Sequence, residues 1–61
     1  MDRQLIAEAR NHSYDGMLAA QYMQDRATTQ QERMIADSLY YNYWASYNLL
    51  VELERLEKRK G

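Results

Sequence analysis

The chain has no cysteine, no proline and no phenylalanine, and only two glycines in 61 residues. Each absence removes something. Without cysteine there are no disulfides and no thiolate metal sites, two of the usual stabilisers of a very small domain. The single histidine does not build a zinc site by itself. Without proline, and with one of the two glycines at the last position, almost nothing interrupts a helix. No run of about 18 apolar residues is present, so no membrane span is expected. The segment MDRQLIAEARNH carries charges where a signal peptide needs an apolar core, and a cytoplasmic protein is the expectation. A formal net charge of −1 is not the basic stripe that nucleic-acid binding normally calls for.

What is present is apolar and helix-forming. Hydrophobic residues make up 46% of the chain, which places it among ordered rather than disordered sequences. A domain this short buries only about 60% of the surface its unfolded chain exposes. Self-association is therefore the expected stabiliser. Ala, Leu, Gln, Glu, Arg and Met dominate, and the fold class read from them is all-α.

One internal boundary stands out. In ATTQQE, residues 27–32, Thr29 and Glu32 have the spacing of a capping box. The Thr hydroxyl would take the Glu backbone N–H, and the Glu carboxylate would reach back to the Thr N–H. This predicts a single domain, 1–61, with a first helix over about 3–26, a turn over 27–29, and a second helix over about 30–59 that is roughly 45 Å long. The competing reading is three helices, with a break near residues 13–16, because Asp15-Gly16 is a turn signal.

Periodicity favours the continuous helix. Ala9, Ser13, Gly16, Ala20 and Ala27 fall on one narrow stripe of the first helix, flanked by Leu5 and Met23 on one side and Ile6 and Met17 on the other. On the second helix Ile35, Leu39, Asn42, Ser46, Leu49, Leu53 and Leu56 follow a strict 4-3 spacing, the signature of a heptad seam. Folding back at 27–29 sets Gly16 opposite Tyr41, Ser13 opposite Trp44 and Ala9 opposite Asn48. Small faces large, and Gly16 acquires a packing reason to sit inside a helix. Asn42 and Ser46, polar in mid-seam, would fix register and oligomer state.

The stretch YYNYWASY, residues 40–47, puts five aromatic rings into eight positions. Tyr40, Tyr43, Trp44 and Tyr47 form one stripe continuing into Val51, and it lies about 130° around the helix from the leucine seam. The first helix has a second stripe too: Tyr14, Leu18 and Tyr22. A hairpin with two apolar faces on each helix covers only one of them well, so a second surface is expected to seek a partner. Tyrosine, with its polar end, suits half-buried boundaries. One expectation is that these rings form the core between two hairpins, in a dimeric four-helix bundle. The other is that they dock onto another protein.

Function follows as an expectation of class. The composition fits a non-enzymatic interaction module, a regulator or inhibitor, with Tyr40, Tyr43, Trp44 and Tyr47 as anchors and Tyr14, Leu18 and Tyr22 as a secondary surface. It would suit a phage or mobile-element accessory factor. An oligomer that stacks a nucleotide-like ligand on its rings, with Arg26, Arg33 or the terminal cations on the phosphates, is the alternative. RNA binding by the bundle is a further one. Lys58, Arg59 and Lys60 are candidate anion contacts, at a helix end where cations are favoured in any case. No catalytic residue, cofactor or metal is expected. Glu8, His12 and Asp15 share a flank, but their spacing departs from the Glu-x-x-His pattern of carboxylate-bridged bundles, and no paired nucleophile accompanies them.

Overall fold

Asp2 starts the first helix. Its Oδ1 accepts from the backbone N–H of Gln4 at 2.9 Å, one of the donors that a helix start leaves without an internal partner. The helix that follows, α1, runs Arg3–Arg26 without interruption, as periodicity favours, and the competing break at 13–16 does not occur. Ala27 then leaves in an extended conformation, φ −64° and ψ 130°. A second helix, α2, runs Gln30–Lys60 and packs antiparallel on α1. This computed structural model describes residues 1–60; Gly61, the last position of the expected domain, lies outside them. The pair measures 48 × 13 × 13 Å at its Cα atoms.

The capping box forms as the sequence predicts. Glu32 N–H donates to Thr29 Oγ1 at 3.0 Å, and Thr29 N–H donates to Glu32 Oε1 at 3.2 Å. Thr28 adds two more bonds to the same carboxylate oxygen, from its N–H at 3.0 Å and its hydroxyl at 3.1 Å. One glutamate thus holds the whole turn. No described residue adopts a positive φ, so the chain reverses without using glycine.

The helices meet along two interlocking tracks. On α1 the inward track is Ile6, Arg10, Ser13, Met17, Ala20, Gln24 and Ala27, every one buried or half-buried. On α2 it is Ala36, Tyr40, Tyr43, Tyr47, Leu50, Glu54 and Glu57. Both follow a 4-3 spacing, the coiled-coil rhythm. The small-residue spine expected on α1 is therefore in place: Ser13 and Ala20 are buried, and Ala9, Gly16 and Ala27 are half-buried.

The α2 side differs from expectation by one residue. The expected seam, Ile35, Leu39, Asn42, Ser46, Leu49, Leu53 and Leu56, lies immediately before the inward track at every step. A one-residue displacement is a rotation of about 100°. Ile35, Asn42, Ser46, Leu49 and Leu56 are exposed, and only Leu39 and Leu53 are half-covered. Gly16 accordingly faces Tyr43, not Tyr41. The physical reason is the thinness of the layer. Two helices alone leave most large side chains with one wet end; among the described residues Ile6, 2% exposed, is the one large side chain in the buried core. Tyrosine tolerates that position, since its ring packs and its hydroxyl stays in water. Leucine gains less there, and the small spine of α1 leaves room for the larger rings.

Polar pairs pin both ends of the interface. Arg10 Nη1 donates to Glu54 Oε1 across the hairpin. Gln24 Nε2 donates to Asp37 Oδ1 at 2.8 Å near the turn. Between them lie Ser13, Ala20, Gly16 and the tyrosine rings.

Candidate interaction surfaces

The hairpin has two broad flanks, one on each side of its inward tracks. In an antiparallel pair, the residues that precede the inward track on both helices share one side, and those that follow it share the other. The first flank combines Leu5, Ala9, His12, Gly16, Ala19, Met23 and Arg26 of α1 with the leucine seam of α2. The second combines Tyr14 and Leu18 of α1 with Tyr41, Trp44 and Val51 of α2.

The aromatic stripe expected to point outward is split by this geometry. Tyr40 and Tyr47 are half-buried against α1, and Tyr43 lies on Gly16. Trp44 stays at the surface, 51% exposed. Tyr14, Leu18 and Tyr22 also remain exposed, as expected of the second stripe on α1, although the Tyr14 ring leans on Tyr47 with centroids 5.7 Å apart. The structure therefore sets Tyr14 against Tyr47, one helical turn from Trp44 on α2, and leaves Tyr22 nearer the turn with the Arg26 guanidinium over its ring at 4.1 Å. Tyr41 is a surface residue that sequence reasoning placed inside the hairpin. It is 67% exposed, edge-on to Tyr40 at 6.0 Å.

An open, mainly apolar groove lies beside the turn, lined by Tyr22, Met23, Arg26, Ala27, Glu32 and Ile35. Glu32 at its edge titrates below the ordinary glutamate range. The Thr28 backbone N–H bond contributes most, followed by the Thr28 hydroxyl and the Thr29 N–H, all favouring the ionised form.

Charge elsewhere is ordinary helix-surface pairing. Arg55 pairs with Glu52 at 3.3 Å and Lys60 with Glu57 at 3.4 Å. Glu54 reaches across the hairpin to Arg10. Lys58, Arg59 and Lys60 are exposed at the end of α2. Glu8, His12 and Asp15 do not converge, and no three His, Asp or Glu among the described residues are grouped to hold a metal ion. No helix among them is long and apolar enough to cross a membrane. No protein-family model, curated protein or solved structure matches the chain.

Proposed function

We propose that this chain is a non-enzymatic protein–protein interaction module, a small cytoplasmic regulator or inhibitor that works as an oligomer. One observation carries the reading. Among the described residues the hairpin buries only Ile6, Ala20 and Ala36 as apolar core, while thirteen large hydrophobic side chains, among them Trp44, Tyr41 and Leu49, stay exposed. So much apolar surface on so thin a body is the mark of surfaces that meet other macromolecules. Trp44 is the anchor, with Tyr14 and Leu18 beside it. Tyr40, Tyr43 and Tyr47 hold the platform from beneath. Such a role suits an accessory factor of a phage or mobile element.

The test compares matched baits. Proteins recovered by the wild-type chain and lost by Trp44→Ala are purified and titrated against both forms. The anchor substitution should cost about 2 kcal/mol or more of binding. Equal recovery and equal affinity for Trp44→Ala and Tyr14→Ala would sink the reading. A second reading, a binder of nucleotide-like compounds, draws on the Tyr22–Arg26 stack beside the groove at the turn. A ligand at 100 times its dissociation constant should then stabilise the fold by about 2.7 kcal/mol in a thermal-shift panel. RNA binding through Lys58, Arg59 and Lys60 would instead show a steep loss with salt.

A further inference from the structure

We propose that the leucine flank is the interface between two copies of this chain, closing a dimeric four-helix bundle with the aromatic flank turned outward. This specifies the assembly in the reading above and is tested without any other protein.

The occupant is argued from the flank itself. First, its two tracks hold a single charged residue, Arg26 at the turn end, and one further ionisable group, His12. In a two-fold dimer the same patch meets itself, so a charge within it tends to confront its own copy. A flank whose one charge lies at its turn end, with the guanidinium over Tyr22, suits that arrangement. The opposite flank is different: Asp25, Asp37, Arg55 and Lys58 sit among or beside its rings.

Second, the spacing is that of a bundle seam. Both tracks keep the 4-3 rhythm, and they lie side by side on one face. A four-helix bundle needs this second seam on each helix, because each helix touches two neighbours. The inward tracks serve the neighbour within the hairpin. The leucine tracks are left for the neighbour in another copy.

Third, the face is stepped. The α2 edge is bulky, with Ile35, Leu39, Leu49, Leu53 and Leu56. The α1 edge is shallow over Ala9 and Ala19, while Gly16 is already covered by the Tyr43 ring of its own hairpin. A twofold parallel to the helices lays α2 of one copy over α1 of the other at the same height, so that the bulky segment about Leu49 falls over the other's Ala9 and the smaller Asn42 over its Gly16. All neighbouring helices then run antiparallel, with both turns at one end. The face is also large enough. Its Cα outline of 48 by 13 Å is about 600 Å² before side chains are added, close to the roughly 800 Å² per partner of a stable interface.

Sedimentation equilibrium across a dilution series decides it. The wild-type chain should approach twice 7.3 kDa. Leu49 is 72% exposed in the single hairpin, so Leu49→Lys suits the monomer but places two buried ammonium groups in the dimer. It should weaken association at least ~100-fold. Leu56→Lys should act in the same direction, and Trp44→Lys should leave the mass unchanged. Loss of helicity on dilution, restored by concentration, is the same result seen through folding. A wild-type mass of 7.3 kDa at millimolar concentration, or dimers of unchanged affinity in both leucine variants, would overturn the proposal. So would a dimer broken by Trp44→Lys alone. A leucine-flank dimer whose Trp44 recruits no partner sinks only the earlier reading.

Discussion

The ring of Tyr43 lies directly on the backbone of Gly16. A Cβ built at that glycine would come within 3.0 Å of three carbons of the ring. The contact lets α1 and α2 approach in mid-hairpin, and it explains a glycine in the interior of a 24-residue helix.

Two opposing effects meet at Gly16. Alanine there gains about 1 kcal/mol of helix propensity. It also pushes the Tyr43 ring off the helix, and overpacking a close contact costs about 1–3 kcal/mol. Gly16→Ala should therefore destabilise the wild-type chain. In a Tyr43→Ala background the same change should stabilise, because the obstruction is gone. Urea unfolding of the four members of the cycle reads both signs. A stabilising Gly16→Ala in the wild-type background would show that the ring moves aside at little cost.

Much of this was legible in the residues. Helix limits, turn and capping box were written in Thr29 and Glu32 and in the absence of proline; the cap at Asp2 emerges only in the structure. The packing use of Gly16 and the small spine of α1 could also be read directly. The facing residue could not. Two 4-3 tracks run along α2 one residue apart, Ile35 to Leu56 and Ala36 to Glu57, and a hydrophobicity count favours the first. The choice between them depends on layer thickness, which a single helix does not encode. It also depends on pairs such as Arg10–Glu54, whose charges look like surface residues until a helix is laid across them.

The turn should weaken in acid. Glu32 accepts bonds from Thr28 and Thr29 as a carboxylate, which lowers its pKa. Its contribution is fully present above the ordinary glutamate range and is lost as pH falls through the lowered native value. Thr29→Ala should cost about 1 kcal/mol and should keep most of this acid dependence, because both Thr28 bonds and the backbone N–H at position 29 still reach the carboxylate. Thermal unfolding of wild type, Thr29→Ala and Glu32→Gln over acid to neutral pH gives the comparison. An unaltered pH profile in Glu32→Gln would assign the acid sensitivity to other carboxylates.

The Arg10–Glu54 pair should set register more than it adds stability. Both side chains keep some contact with water, at 32% and 18% exposure, so desolvation and attraction are both moderate. Replacing Arg10 alone by Leu leaves Glu54 half-buried without its partner and should cost on the order of 1 kcal/mol, discounted for solvent screening. Replacing both by Leu should restore or exceed wild-type stability. It should also loosen the hairpin's register, seen as broader amide exchange near Ser13 and Leu50. A double variant less stable than either single one would show that the pair is a net stabiliser.

Trp44 distinguishes the two flanks spectroscopically. The indole is half exposed and lies on the side away from the leucine seam, while its helix carries both surfaces. If copies join through the leucines, Trp44 should keep a water-exposed emission and the same quenching by acrylamide at all concentrations, even as the mass doubles. Leu49→Lys should alter the mass and leave the emission alone. A blue shift and loss of quenching that track association would place the indole in the dimer core. The outward surface would then be the leucine seam, and the assignment of the two flanks would be reversed.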